Sequence, residues 1–476
     1  IYFSGSLRFM PTSSSMEERV KCLDGIIPMI SSDEIYSGQN YQALNEAESY
    51  GYLTRYDVDE VESIYIIRRA IVLTNGVPNN ISVVAGIITT EFQTPLSHIN
   101  VLSRNRGTPN MALRDGWDSP LLSGLEGKLI YMKTALDTFT IRRGDLAEAE
   151  AFWAEKDPTD TVTLPCNDST PGLYEIAEIS YNSIDFVGAK AANFAELGLI
   201  SNNDPGPIPL PEGAFAIPFY YYRQHLQLHG IGQLVDAFLS DSSVIADANL
   251  RMVRLKSLRD TIKAAAIDSS LLAAIITKIE LLSEYRRIRF RSSTNAEDLE
   301  KFNGAGLYSS KTGIVGGDPD KGIERAVKWV WASLWNFRAF EERDYFKIDH
   351  RTVAMGVLAH RSFPDELANG VAITKNIFNE NIWGHTINVQ IGETSVVNPP
   401  AGTTSDQIIF YTFYENPYTD PVIEYISHSS ITGSEPVLSD VEITLLAKHL
   451  SSMKTHFYNI YKPWEKDQAY PYFGID

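Results

Sequence analysis

The sequence is poor in cysteine and contains no long apolar run. Its two cysteines, Cys22 and Cys166, among 476 residues are too few for a disulfide framework, or for a zinc site built on cysteine alone. No stretch of about 18 uninterrupted apolar residues is present, so hydropathy predicts no transmembrane helix. These absences favour a reducing compartment without a membrane partner, and we expect the cytoplasm.

Positive charge is also in deficit. The chain has 41 Lys and Arg residues against 60 Asp and Glu residues, a formal net charge of -19. An acidic protein is a poor match for a nucleic-acid backbone or an anionic membrane as its main partner. A local cluster of Lys, Arg and backbone N–H groups can still hold a phosphate in such a protein. The composition, 44% hydrophobic and 21% charged, is that of a soluble globular chain, and its length favours two or three domains.

The pattern along the chain predicts two units joined by a linker. Apolar β-branched runs at 63–74 and 81–90 predict two buried strands, and residues 127–143 predict a strand pair. Residues 149–174, rich in Asp, Thr and Pro, predict the linker. Helical patterns at 270–287 and 322–346 and strand-like runs at 352–360, 370–377 and 385–393 follow it. The aromatic-rich "WVWASLWNF" within the second helical pattern is more typical of a buried helix face than of a cofactor site. We therefore expect a mixed α/β protein, with a small β-rich unit over residues 1–148, including an irregular N-terminal extension, and a larger α/β unit over 175–476.

The first histidine of the chain, His98, lies in "TTEFQTPLSHINVLSRNRGTPNMAL", after an apolar strand. The helical spacing of Ile99 and Leu102 predicts that a helix begins at His98. Free N–H groups and the helix dipole favour an anion there and lower the proton affinity of an imidazole, which keeps one ring nitrogen nucleophilic. An isolated histidine is more often structural. The residues alone leave packing, proton transfer and covalent catalysis open.

Hydroxyl and cationic side chains surround His98 in the sequence. Thr94 and Ser97 precede it, and Arg104 follows about two helical turns later. If His98 carried a phosphate, these three side chains would be candidate donors to the phosphate oxygens.

A second candidate stretch is "RIRFRSSTNAEDLEKFNGAGLYSS". Arg291 can contact a phosphate through two N–H groups, while Gly304 and Gly306 let the backbone approach a ligand closely. Lys190, at the start of the helical stretch "GAKAANFAEL", offers a second cation. Against this interpretation, glycine-rich turns and arginines are common, and no Walker-type GxxxxGK[ST] motif is present. The segment "NAEDLE" is typical of a solvated loop or helix start, although Glu297 and Asp298 could orient the arginine.

Taken together, these stretches resemble the phosphohistidine and ATP-grasp domains of the dikinases, the family of pyruvate phosphate dikinase, phosphoenolpyruvate synthase and α-glucan water dikinase. "TPLSHINVLSRN" is similar to the family's Ser-His motif, and "GAKAANFAEL" to Gly-Gly-Lys-Gly-x-Asn-Leu-Ala-Glu. "FRSSTNAEDL" is similar to Val-Arg-Ser-Ser-x-x-x-Glu-Asp-Leu, "WASLWNFRAF" to Trp-Ala-Ser-Leu-(Phe/Tyr)-x-x-Arg-Ala, and "INVQIGETSVVNP" to Gly-Leu-Gly-Glu-x-x-Val. The matched stretches lie between about Ile81 and Pro399 and keep their spacing.

The resemblance implies a swivelling β/α phosphohistidine domain followed by an ATP-grasp-like domain. It also implies His98 as the phosphate carrier, with Thr94, Ser97 and Arg104 around it. The nucleotide-contacting positions that it implies are Lys190, Arg291, Gly304, Gly306, Ser310, Arg338, His360 and Glu393.

The implied reaction is transfer of the β-phosphate of ATP through His98 to an acceptor, with release of AMP and with Mg²⁺ assisting. The histidine-first order resembles that of glucan water dikinase. The alternatives are a pyruvate-type enzyme that needs an acceptor domain outside this chain, and a nucleotide-sensing module without turnover. His360 stands where the family commonly has Gln, which bears on base selectivity. The family's metal-binding Glu and Gln belong to a strand expected after Asp476, so the metal ligands, the acceptor and the oligomeric state stay open.

Overall fold

The computed structural model describes residues 40–61, 64–78, 81–93, 98–201, 204–282, 287–299, 302–304, 306–316, 319–379, 381–396, 403–413, 416–433, 435–466 and 468–475. Helices and strands are both present, in agreement with the mixed α/β class expected from the sequence. No helix in these ranges is long and apolar enough to span a membrane.

A seven-stranded sheet forms the N-terminal unit, which we define as residues 40–156. Its spatial order is β1-β5-β4-β3-β2-β6-β7, with β2, β3, β4 and β5 parallel and the remaining pairs antiparallel. The strands are β1 (Tyr41–Asn45), β2 (Glu48–Tyr56), β3 (Ala70–Thr74), β4 (Gly86–Thr89), β5 (Asn110–Leu113), β6 (Leu129–Ala135) and β7 (Thr138–Arg143).

Helices cover both faces of this sheet because its central strands are apolar on both faces. In β3, Ile71 and Leu73 face one core and Ala70 and Val72 face another. The described helices of the unit are α1 (His98–Arg106), α2 (Pro120–Leu125) and α3 (Leu146–Lys156).

A five-stranded antiparallel sheet organises the next part of the chain, in the order β13-β10-β14-β9-β8. Its strands are β8 (Tyr174–Glu175), β9 (Phe215–Ile217), β10 (Arg287–Thr294), β13 (Lys311–Ile314) and β14 (Met355–Arg361), and a hairpin of β11 (Asp298–Leu299) and β12 (Phe302–Asn303) follows β10. The described helices here are α4 (Ile184–Val187), α5 (Ala189–Leu197), α6 (Phe219–Leu228), α7 (Ile231–Ser240), α8 (Ser242–Ala246), α9 (Ala248–Ala264), α10 (Ser269–Glu280), α11 (Ile323–Ala332) and α12 (Phe337–Tyr345).

A four-stranded antiparallel sheet completes the described structure. Its strands are β15 (Ala368–Ile373), β16 (Gly384–Ile391), β17 (Asp406–Tyr411) and β18 (Ile423–Ser427), in that order. Helix α13 (Asp440–Tyr461) packs against it through Ile443, Ala447 and Leu450. After α13 the chain forms a 3₁₀ turn at Tyr470–Tyr472, and Ile475 exchanges hydrogen bonds with Thr374, next to β15.

The structure corrects three local predictions. The strand predicted over 63–74 is limited to Ala70–Thr74, because a turn that bonds Ala70 N to Ile67 O precedes it. The helical pattern of 322–346 is split into α11 and α12 by a 3₁₀ turn at Ser333–Trp335. Helix α3 runs on to Lys156, into the range predicted as linker, because Ala149 and Trp153 pack against Tyr50 of the first sheet. The division into domains itself stays a prediction.

Candidate functional site

One face of β10 carries the cations of the predicted nucleotide site. Side chains alternate along a strand, and in β10 the apolar Ile288 and Phe290 face the largest core. Arg289 and Arg291 therefore lie on the opposite face, where Arg291 is exposed and Arg289 donates to Thr312 Oγ1 over 3.2 Å. In the described residues neither arginine forms an ion pair with a carboxylate. This face therefore holds uncompensated positive charge suited to a polyanion.

Helix α5 lies on the same face of the sheet and brings Lys190 to it. A Cβ on Gly188, which precedes the helix with φ +85°, would come within 2.3 Å of Ser293, so only glycine permits this close approach. The Ser293 hydroxyl accepts from Ala191 N over 2.9 Å and fixes the helix start on β10. Lys190 Nζ then lies 3.2 Å from the Ser292 carbonyl oxygen.

Glu297 is a site residue whose role the sequence analysis assigned wrongly. Its carboxylate lies 2.5 Å from Lys190 Nζ, so it orients the lysine rather than Arg291. Glu297 is buried, and its second oxygen has no hydrogen-bond partner among the described residues. A buried carboxylate with one free acceptor is costly without a donor, and a ligand hydroxyl or cation would supply the missing contact.

His360 adds a neutral aromatic group to the cationic face. It is paired with Arg289 across β14 and β10, and its ring stacks on Phe194 of α5 with 6.2 Å between centroids. Its Nδ1 lies 2.7 Å from the Arg361 carbonyl oxygen, which can only accept, so Nδ1 carries the proton and Nε2 is left as an acceptor. Burial lowers the pKa of His360, and the charges of Arg291 and Arg289 lower it further.

The glycine-rich turn lies beside Glu297, as the sequence suggested. Gly304 N donates to the Glu297 carbonyl over 2.7 Å, and a Cβ on Gly304 would meet Ala296 O and the Glu297 backbone at 3.0 Å. Gly306 has φ +77°, a left-handed conformation that favours glycine. Ser310 is partly buried just before β13. Lys190, Arg291, His360 and this turn are thus grouped around β10.

Two predicted nucleotide positions lie elsewhere. Glu393 is exposed in the turn after β16, on the four-stranded sheet, and within the described ranges no hydrogen bond or ion pair connects it to Lys190 or Arg291. Arg338 lies on α12 and is close enough to Arg106 for its charge to lower the pKa of that residue. Both assignments stay predictions.

The predicted helix start at His98 is confirmed, since α1 begins at that residue. Thr94 and Ser97 lie outside the described residues, as does the side chain of His98. Arg104 is exposed, and its Nε donates to the Leu44 carbonyl at 3.4 Å, at the edge strand β1.

Buried polar side chains anchor the chain on both sides of residues 94–97. Asn110 of β5 hydrogen-bonds Gln93, which ends the described segment before α1, at 3.2 and 3.3 Å. Asn110 also donates to Ser103 Oγ of α1 over 3.1 Å, and Gln93 donates to Thr89 Oγ1 of β4. Satisfied buried networks of this kind specify a single geometry, so Gln93 and Ser103 are both fixed to the sheet.

The two halves of the predicted site meet in space. Helix α1 lies against β12, the strand that follows Glu297 and the β11 turn. A helix that begins with a histidine is therefore placed beside the turn next to Lys190. Chemically, this arrangement can bind a polyphosphate through Lys190 and Arg291.

The described residues do not fit a protein-held metal site. No group of three or more His, Cys, Asp or Glu side chains that could hold a metal ion occurs among them. The protein ligands of Mg²⁺ are therefore not assigned.

The sequence analysis did not identify Arg289 and Phe194 as members of this face. It also did not identify Glu297 as the partner of Lys190. Period-2 alternation in "RIRFRS" was a sufficient signal for Arg289, since it lies on the face of Arg291. The Phe194 and Glu297 contacts join residues distant in sequence, and no local pattern reports them.

Comparison with known proteins places this region in a family. Residues 184–412 match the family described as pyruvate phosphate dikinase, AMP/ATP-binding domain. The phosphoenolpyruvate synthase of Escherichia coli (strain K12) is 30% identical over 206 residues, 43% of this chain and 25% of that protein.

Two further relatives match over longer stretches. The phosphoenolpyruvate synthase of Pseudomonas aeruginosa is 24% identical over 314 residues, 60% of this chain and 38% of that protein. The chloroplastic alpha-glucan water dikinase 1 of Arabidopsis thaliana is 24% identical over 332 residues, 67% of this chain and 21% of that protein. The chain thus spans well under half the length of these relatives. Residues 184–412 of this chain, which include Lys190, Arg291 and His360, therefore belong to the family of the pyruvate phosphate dikinase AMP/ATP-binding domain.

Proposed function

We propose that this chain is the phosphohistidine and nucleotide-binding part of an ATP-dependent phosphotransferase of the dikinase type. ATP binds on the β10 face, His98 takes up the β-phosphate and AMP leaves. The γ-phosphate passes to water or to orthophosphate, and the phosphate on His98 passes to an acceptor. A covalent carrier divides one difficult transfer into two easier ones.

The observation that carries this proposal is the packing of α1 against β12. It brings the helix that begins at His98 next to the turn holding Glu297 and Gly304, and Glu297 is bonded to Lys190. Phosphoryl transfer depends mainly on alignment and on stabilisation of charge. Lys190 and Arg291, with Arg338 as a further candidate, supply that positive charge.

For the acceptor, we propose a hydroxyl group, as the name glucan water dikinase indicates for that relative. The match to that protein extends over 67% of the chain, beyond the span of residues 184–412, and the histidine-bearing unit comes first here. The relatives named phosphoenolpyruvate synthase support the alternative of pyruvate, which would need an acceptor site outside this chain.

Labelling with ATP tests the carrier. Incubation with β-labelled ATP and Mg²⁺ should leave an acid-labile, base-stable phosphate on the chain, located by mass spectrometry on the peptide containing His98. His98→Ala should abolish the label, whereas His229→Ala, a change at an exposed histidine, should keep it. Equal labelling of His98→Ala and the parent would refute the assignment.

Release of AMP tests the acceptor. We expect AMP and orthophosphate with a suitable sugar or glucan hydroxyl, and no stimulation by pyruvate. Pyruvate-dependent AMP formation by this chain would reverse the ranking of acceptors. ATP binding without AMP release or labelling, in a form extended past Asp476, would instead favour the nucleotide sensor.

A further inference from the structure

The N-terminal unit meets α12 through charged side chains. Arg106, the last residue of α1, forms an ion pair with Glu342 of α12, and the two side chains are only 4% and 6% exposed. Arg68 pairs with Asp344, two residues further along α12, and lies 3.9 Å from Glu341. We call this contact between residues 65–106 and α12 the seam.

Arg106 is fixed from both sides of the seam. Its guanidinium donates to the Ile81 and Ser82 carbonyl oxygens over 3.3 and 3.2 Å, within the N-terminal unit, while it pairs with Glu342 across the seam. Burial lowers the pKa of Arg106 to about 9, which still leaves it charged at neutral pH. The guanidinium therefore determines where the end of α1 sits relative to α12.

Arg106 cannot touch the reacting atoms when His98 reacts. The two residues are at opposite ends of α1, about 12 Å apart at 1.5 Å per residue. Helix α1 is also associated with the β10 region, through β12. One helix is thus held at two places, by β12 along its length and by α12 at its C-terminal end.

Weaker contacts accompany the ion pairs. The rings of Tyr65 and Phe337 meet edge to face with 5.8 Å between centroids, and the Arg68 guanidinium lies 5.7 Å from the centroid of Tyr345. A cleft of about 550 Å³ opens beside them, with Arg68, Arg106 and Tyr345 in its wall. The seam is therefore incompletely packed, and its described specific contacts are mostly polar.

A seam of this composition suits reversible docking. A buried ion pair adds little net stability, because desolvation of both charges offsets their attraction, but it admits one geometry. When the units separate, water solvates both charged partners again, and the apolar surface exposed at the seam is limited mainly to the Tyr65–Phe337 contact. An apolar seam would lack this property, since its separation exposes surface to water.

We propose that Arg106 and Glu342 are positioning residues for the first half of the reaction, fixing the docked pose in which His98 faces the nucleotide. This inference rests on the proposed function. Arg338, four residues before Glu342 on α12 and close to Arg106, would then be brought to the docked helix by the same contact. The pair should govern the rate of phosphate uptake by His98 and leave ATP affinity alone.

The pose can be measured without turnover. Spin labels are placed at Thr140 and Ser257, two exposed positions on β7 and α9, in a chain whose Cys22 and Cys166 are replaced by Ala. The parent should give one dominant distance, and Glu342→Gln, which keeps the side-chain shape, should add a longer one. Glu148→Gln, which removes an exposed ion pair with Arg142 inside the N-terminal unit, is the matched control and should resemble the parent. A parent-like distribution in Glu342→Gln would overturn the proposal.

The kinetic arm separates positioning from binding. In Glu342→Gln the initial rate of His98 labelling should fall roughly 30-fold, the lower end for truncating one partner of a desolvated ion pair at an interface. Calorimetric ATP affinity should stay within about twofold, and Glu342→Asp, which keeps the charge, should recover part of the rate. Labelling at the parental rate, or a parallel loss of ATP affinity, would contradict the positioning role. If the parent chain itself is not labelled, the proposed function is wrong. The distance measurement then still tests whether Arg106 and Glu342 fix the docked pose.

Discussion

Arginines in two regions of this molecule have opposite surroundings. On the β10 face, Arg289 and Arg291 lie side by side, and in the described residues neither has a carboxylate partner. At the seam and directly behind it, Arg68, Arg106 and Arg251 are each paired with an acidic residue of α12. Both regions are rich in arginine, but Arg289 and Arg291 have positive charge to spare for a ligand, whereas the charges of Arg68, Arg106 and Arg251 are matched by carboxylates.

Arginine side chains thus have two different roles in this protein. An arginine whose charge is matched inside the protein fixes a geometry, and its replacement is felt in folding or docking. An arginine whose charge is unmatched raises the local potential, and its replacement is felt in the binding of an anion. Counting arginines in a sequence cannot distinguish these uses, because the distinction depends on the partner.

The largest effect is expected behind the seam. Arg251 lies 2.6 Å from Glu341 and donates to the Val244 and Ile245 carbonyls, and both charged side chains are at most 10% exposed. Arg251→Met should lower the free energy of unfolding by about 3 kcal/mol, the lower end for breaking a buried pair, because it leaves the buried Glu341 carboxylate with only Arg68 at 3.9 Å. Urea denaturation would measure this. Lys256→Met, which removes an exposed ion pair on the same helix, should lower the free energy of unfolding by less than about 1 kcal/mol. Equal losses of stability in the two variants would contradict this prediction.

On the β10 face the expected effect is on binding. Arg291→Ala should weaken ATP binding by about 1.5–3 kcal/mol, the scale of a hydrogen bond to a charged group, with no loss of stability, since the change relieves repulsion from Arg289. Titration calorimetry and denaturation on the same variant test both statements. Lys190→Ala should weaken ATP binding equally, and it should also destabilise the chain because it leaves the buried Glu297 without its partner. Arg254→Ala, at an exposed position of α9, is the control and should change neither ATP binding nor stability. Unchanged ATP affinity in both Arg291→Ala and Lys190→Ala would remove the phosphate-binding role.

A smaller effect is expected on the pH dependence of stability, and it comes from His350, which lies behind α12. Its Nδ1 accepts from Arg343 Nε over 3.2 Å, and burial and the Arg343 charge hold its pKa well below the usual value. As pH falls below about 6.5 the unfolded chain binds a proton that the folded chain excludes, so stability decreases by up to about 1.4 kcal/mol per pH unit. His385, whose pKa burial lowers to about 3, contributes with the same sign. His350→Asn should make this dependence shallower between pH 6.5 and 5, and a slope equal to the parent's would contradict the assignment.

Local sequence pattern predicted the elements well where one residue type repeats with a clear period. The start of α1 at His98, the pair β6–β7, and the strands β14 and β16 are confirmed. The burial of Trp331 and Trp335, inferred from the apolar helix pattern, is also confirmed. In each case the period of apolar residues reflects a face that must be buried, and this information is local.

What the sequence did not predict depends on distant partners. The patterns at Arg106 and Glu342 are those of ordinary charged helix residues, and their ion pair joins positions 236 residues apart. Glu297 looked like part of a solvated loop, because nothing nearby in the sequence indicates Lys190. The resemblance to a family supplied the candidate nucleotide-binding residues, but it did not indicate the buried partner of Lys190 or the seam.

Helix α5 has a consequence that goes beyond binding. It carries Lys190 in its first turn and, near its end, Glu196, whose buried carboxylate accepts from Tyr181 N and lies 2.7 Å from His456 Nε2 of α13. A nine-residue α-helix is a stiff rod of about 13 Å. Any rotation of α13 and the four-stranded sheet must therefore either break the Glu196–His456 contact or displace the lysine at the other end. Helix α5 therefore connects the two sheets rigidly, so a displacement of one of its ends is transmitted to the other.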